Sequence, residues 1–246
     1  MKNIKLTIQY DGTAYHGWQT QENAVTVQET LEKAIKKLLG ADILRLTGCG
    51  RTDTGVHARR YVCNFYAETA IPTDKLPLAL NTYLPDDIIC LMAEEVGEEF
   101  DSRYMAKRKT YSYYINNSEF PDAFLRNYSW HFKYKLDIEK MREAAKAFLG
   151  EHDFYGFAAS GFTVKTTVRT IYSLEIEKEG DIIAIHITGN GFLYNMVRII
   201  AGTLAFVGTG KLNAEDMADI IASRSRKRAG ITAPPTGLFL TEVFYE

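Results

Sequence analysis

The sequence predicts an α+β protein of two split β-α-β halves, ferredoxin-like and RRM-like, that share a mainly antiparallel sheet with an active-site cleft between them. Three observations predict it. Short segments alternate apolar and polar residues with the period of a strand. Two amphipathic helices each open on a capping residue and close on a glycine. The order strand, helix, strand, strand, helix, strand occurs once in each half of the 246-residue chain, which is long enough for one large core or two small ones.

The first half, taken as residues 1–105, opens with the alternating strand Ile4 to Tyr10. A helix follows, with Thr26 and Glu29 forming a capping box and Val27, Leu31, Ile35 and Leu38 along one face. Gly40 is placed to end it. Strands are expected around Leu44 to Thr47 and Tyr61 to Tyr66, a short helix from Asp74 to Asn81 before Pro85, and a strand from Ile88 to Ala93. The second half, 106–246, repeats the order. Lys109 to Asn116 alternates, and Asp137 caps a helix with Ile138, Met141, Ala145 and Phe148 on its buried side, followed by Gly150. Strands are expected at Ile171 to Glu177 and Ile182 to Thr188, and helical material from Leu193 to Ser223 broken near Gly208-Thr209-Gly210. Leu238 to Tyr245 is the closing strand. RNA-recognition modules use the same arrangement, which leaves one sheet face free for a ligand. Identity between the halves is slight, so one mixed sheet without internal symmetry is the other arrangement this order allows.

Net charge is −2, with 15 Tyr and 13 Phe. Such a balance argues against a uniformly basic nucleic-acid binder, so the local distribution of charge has to decide. Cys49, Cys63 and Cys90 have no CxxC spacing, which points to a reducing, cytoplasmic setting. The N-terminus has no signal-peptide core, and the apolar stretch Phe192 to Val207 is interrupted by Asn195 and Arg198, so no membrane span is expected. His16, His57, His131, His152 and His186 lack metal-ligand spacing, and there is no HExxH, Walker loop or strand-linked GxGxxG. Neither a metal nor a cofactor is expected.

Three segments could carry chemistry. In Gly48-Cys49-Gly50-Arg51-Thr52-Asp53-Thr54-Gly55-Val56-His57-Ala58, the glycines imply a tight turn or close backbone approach to a ligand. Asp53 could face a reacting atom and Arg51 a phosphate, or Asp53 could simply cap the turn. Arg198, in the apolar run Met196 to Gly202, needs a carboxylate, for which Asp53 is one option, or a route to solvent. In Lys107 to Tyr114, cations sit beside Tyr111 and Tyr113 on one strand face, which suits RNA but equally suits core tyrosines behind a solvated charge run. Arg103, Lys165, Arg169, Arg224, Arg226, Lys227 and Arg228 add further cations.

The chain resembles the TruA-type tRNA pseudouridine synthase family. Gly50 to Ala58 looks like that family's signature, and Tyr10-Asp11-Gly12-Thr13-Ala14-Tyr15-His16-Gly17-Trp18-Gln19 looks like its opening motif. Phe100 to Arg103, Lys109 to Tyr113, Gly191 to Arg198 and Pro235 to Leu238 match further motifs in order, so the resemblance spans nearly the whole chain. The resemblance implies that Asp53 is catalytic, that Tyr111 packs on the target base, that Arg198 pairs with the aspartate, and that Leu238 lines the pocket; Arg51 and Arg103, from their charge, are expected as further substrate contacts. It also implies a cofactor-free homodimer acting on uridines 38, 39 and 40 of the tRNA anticodon arm, with DNA and membranes not expected as partners. Two other readings of the same residues are a non-catalytic tRNA-binding or chaperone protein and a small-molecule phosphate site in the glycine loop.

Overall fold

The computed structural model describes residues 1–161 and 164–246. The architecture is α+β, with mainly antiparallel strand pairing, and the chain forms two compact units. The first comprises Met1–Lys107 together with Phe239–Glu246, and the second comprises Arg108–Leu238.

In the first unit, β1 (Lys2–Tyr10) lies between β4 (Ile88–Val96) and β3 (His57–Ala67), antiparallel to both. The far edge of β3 carries β2 (Leu44–Gly48), antiparallel at Cys63 to Tyr66. The order β4-β1-β3-β2 is that of a split β-α-β sheet. Helix α1 (Val27–Leu39) forms where the capping signals lie: the Thr26 hydroxyl accepts the Glu29 N–H, and Gly40 takes the left-handed conformation at φ 65°. Val27, Leu31, Ala34 and Ile35 are buried, as are Ile4, Leu6 and Ile8 of β1, while Leu38 is only half-buried. The expected short helix is a 3₁₀ turn, Thr73–Lys75, leading into α2 (Leu76–Asn81).

The other side of β1 is covered by polar bonding. Asn3 Nδ2 donates to the carbonyls of Gly97 and Phe100, Asn64 Nδ2 donates to Asn3 Oδ1, and Asn64 Oδ1 accepts the Ser102 N–H. These bonds satisfy buried amides that would otherwise be costly, and they hold the segment leading to Arg103 against the sheet.

In the second unit, β5 (Arg108–Asn116), β9 (Ile182–Gly189), β8 (Val168–Glu179) and β7 (Gly150–Asp153) lie side by side, all antiparallel. The short β6 (Trp130–His131) runs parallel to the end of β5. Helix α3 (Ile138–Lys146) is capped by Asp137, whose carboxylate accepts the Lys140 N–H, and it buries Met141, Ala144 and Ala145. Phe148 is buried just beyond it, whereas Ile138 is half-buried. The apolar run becomes α4 (Met196–Gly208), which is buried on nearly every side and so shows no polar face. The chain breaks at Gly208 to Gly210 before α5 (Met217–Ala222).

Several boundaries differ from expectation, each for a non-local reason. β3 begins at His57 rather than Tyr61, because Ala58 pairs with Tyr10 despite the exposed Arg59 and Arg60. β7 has no signal in the sequence: Gly-Glu-His-Asp has little strand propensity, and pairing with β8 imposes the conformation. α4 starts at Met196 rather than Leu193, because Asn195 is left-handed at φ 61°. The closing strand, β10 (Leu238–Phe244), was expected to finish the second half; from Phe239 onward it belongs to the first unit, with Phe239 and Leu240 parallel to His57 and Ala58 of β3.

Candidate active site

The first unit builds a rigid frame around Asp53. The loop from Cys49 to Val56 joins β2 to β3, and residues of the opening motif hold it. The Trp18 N–H donates to the Thr52 carbonyl at 3.2 Å, and the Gly55 N–H donates to the Tyr15 carbonyl at 3.2 Å. The Tyr10 and Thr52 hydroxyls are hydrogen-bonded at 2.8 Å. Inside the loop, the Val56 N–H donates to the Asp53 carbonyl at 3.1 Å, closing a turn that Gly55 completes at φ 76°. The Tyr61 hydroxyl donates to the Gly50 carbonyl, and its ring stacks on Trp18 at 4.1 Å.

Two glycines make this approach possible. A Cβ on Gly12 would lie 2.0 Å from the Val56 carbonyl oxygen, and one on Gly17 would lie 2.3 Å from that of Thr52. The two motifs, separate in sequence, are therefore two halves of one interlocked turn.

His57 completes the frame. It is 1% exposed and stacks on Phe239 at 4.5 Å. The Gly12 N–H donates to its Nδ1 at 3.0 Å, while Asp11 Oδ1 lies 3.1 Å from the same nitrogen. These contacts make opposite demands on one atom. The backbone N–H carries its proton permanently, whereas Asp11 Oδ1 already accepts from the Thr13 N–H and hydroxyl at 2.9 and 2.6 Å. The Gly12 N–H and the Asp11 carboxylate both converge on Nδ1 and fix the ring's orientation.

Within this frame Asp53 is half-buried, and Arg51 and Thr54 are exposed. Arg103 is also exposed: the Asp101 carboxylate accepts its backbone N–H at 2.8 Å, and its guanidinium lies over the Tyr104 ring.

The second unit carries the other expected residues. Tyr111 is half-buried on β5, with the Phe192 ring meeting it edge-on at 5.1 Å. Tyr113, on the same strand face, is fully buried and donates to the Pro234 carbonyl at 2.8 Å; desolvation pushes its hydroxyl well above the usual phenol range. It is a core residue. Arg198 sits in the first turn of α4, half-buried, with Nε donating to the Ala233 carbonyl and Nη1 to Asn195 Oδ1, both at 2.7 Å. Leu238 is buried and follows the 3₁₀ turn Pro235–Gly237.

Some of the expected cations are structural. Arg226 turns inward to the Gly230 carbonyl and the Thr232 hydroxyl, Arg169 donates to the carbonyls of Thr166 and Val168, and Arg224 pairs with Asp153. Lys107, Arg108, Lys165, Lys227 and Arg228 remain exposed. Among the described residues, no group of three or more His, Cys, Asp or Glu is placed to hold a metal ion, and no helix is long and apolar enough to cross a membrane.

Sequence reasoning missed the supporting roles of Tyr10, Trp18 and Tyr61. The available signal was the density of aromatic and glycine residues in the opening motif, which strand and helix periodicity does not use.

An α+β protein that holds the backbone around an acidic residue in a braced glycine-rich turn has the frame an enzyme site needs. Residues 6–105 and 144–246 match the family model described as tRNA pseudouridine synthase, and the chain belongs to that family of isomerases. It is 54% identical over 245 residues to the tRNA pseudouridine synthase A of Thermoanaerobacter sp. (strain X514), covering 100% of both chains. The protein of the same name from Acetivibrio thermocellus is also 54% identical over 245 residues, and that from Clostridium kluyveri 48%, again with 100% of each chain covered.

Proposed function

We propose that this protein isomerises uridine to pseudouridine at positions 38, 39 and 40 of the tRNA anticodon arm, with Asp53 as the catalytic group. The observation that carries the reading is the half-buried Asp53, held in its turn by the opening motif, in a chain of this family.

The reaction breaks the N1–C1′ bond, forms C5–C1′, removes the C5 proton and protonates N1. It is redox-neutral, so side chains suffice. The target nucleotide must first leave the stack. Asp53 then acts as the nucleophile, at C1′ or at C6 of the ring. Tyr111 packs on the uracil so that it stays bound between cleavage and rejoining. Arg198 is the basic residue of this reading, and Leu238 keeps water from the intermediate. Arg51 and Arg103, exposed and charged, contact phosphates. In this reading the protein works on RNA as a homodimer in the cytoplasm.

The test is tritium release from tRNA carrying 5-tritiated uridine. Release is expected from the wild type and not from Asp53→Asn. Wild-type release by Asp53→Asn refutes the assignment.

A further inference from the structure

We infer that Tyr10 is a positioning residue for Asp53, acting through the Thr52 hydroxyl. The inference rests on the reading of Asp53 as the catalytic group and adds a second residue to that site.

The argument is geometric. Thr52 immediately precedes Asp53 and is anchored at two points, one on its backbone and one on its side chain. The Trp18 N–H holds its carbonyl oxygen at 3.2 Å, and Tyr10 holds its side-chain hydroxyl at 2.8 Å. One anchor leaves a residue free to rotate about it, while two fix the direction in which the chain leaves toward Asp53. Both hydroxyl bearers are buried, Tyr10 at 3% exposure and Thr52 at 7%. Water therefore replaces this bond poorly if it is broken.

Tyr10 is itself fixed at the end of β1, where it pairs with Ala58 of β3 and Ile88 of β4, and its ring packs against Tyr61 at 5.7 Å. The hydroxyl pair thus ties the residue before Asp53 to the end of β1, beside the backbone anchors of the loop. Gly50 and Gly55 flank the segment, so its stiffness comes from such anchors rather than from the backbone's own preferences.

A displacement of about 1 Å in a catalytic group costs on the order of 100-fold in rate. Tyr10→Phe and Thr52→Val each remove one hydroxyl and keep the shape. Single-turnover tritium release with enzyme in excess is expected to slow by about 10- to 100-fold in each, with tRNA affinity within about 2-fold of wild type. Because one bond is lost either way, the double variant is expected to be no slower than the worse single variant by more than about 2-fold. Thr52→Ser, which keeps the hydroxyl, is expected to restore most of the rate. A wild-type rate in Tyr10→Phe, a multiplicative loss in the double variant, or a loss residing in tRNA affinity overturns the inference. Asp53→Asn is measured alongside. If it stays active, the underlying reading fails; if it is inactive while Tyr10→Phe is fully active, only the positioning role fails.

Discussion

Replacing Gly17 by alanine tests the interlocked turn directly. Gly17 sits at φ +81°, and a Cβ there would come within 2.3 Å of the Thr52 carbonyl oxygen and 3.1 Å of the Asp53 carbonyl carbon. The left-handed backbone alone costs a non-glycine residue about 1 kcal/mol. The clash is with backbone rather than a flexible side chain, so the loop itself must move, which adds about 1–3 kcal/mol by the measure of overpacked cores. The sum is about 2–4 kcal/mol. Gly40→Ala is the control, since Gly40 has φ +65° and nothing within 4 Å of the added carbon. It carries the backbone cost alone. At about 2–4 °C per kcal/mol for a chain of this size, Gly17→Ala is expected to lower the midpoint of thermal unfolding by about 4–16 °C. The expected fall for Gly40→Ala is about 2–4 °C. Gly17→Ala should also slow single-turnover tritium release, because the residues displaced are Thr52 and Asp53, while Gly40→Ala should not. Equal shifts in midpoint together with a wild-type rate in Gly17→Ala would refute the close approach.

Alkaline stability depends in part on Cys90. Burial pushes its thiol from 9.0 to about 12, so the folded state holds a proton that the unfolded state releases. That contribution is complete below pH 9 and is lost as pH rises toward 12, by up to about 4 kcal/mol; urea titrations across this range should show a shallower decline for Cys90→Ala. Arg51→Ala is expected to weaken tRNA binding and to reduce the slope of log affinity against log salt by about 1, measured by filter binding; an unchanged slope removes Arg51 from the phosphate contacts.

Much of the fold was legible because it rests on local rules. The Thr26 and Asp137 caps, the left-handed Gly40 and the alternation in β1, β5 and β9 each depend on residues within a few positions, and the structure places those elements there. The candidate site was legible in its motifs but not in its mechanics. Asp53, Arg51 and the glycines stood out as a loop, yet nothing local told that Gly12 and Gly17 allow the opening motif to close on that loop. The role of individual cations is the least legible feature of the sequence. Arg169 and Arg226 look like surface cations in the sequence, but their guanidinium groups turn to nearby carbonyls once the surrounding chain is in place.

By itself, the sequence determined the capped starts of α1 and α3, the left-handed stop at Gly40 and the alternation of the main strands. Each of these is set by bonding or patterning within a few residues. Tertiary structure alone decided that β10 leaves the second unit to pair with His57 and Ala58, that Gly-Glu-His-Asp becomes a strand, and that a tyrosine in the first strand reaches Thr52. Those outcomes depend on partners tens of residues away, and such partners exist only after loop closure has been offset by the burial of a shared core.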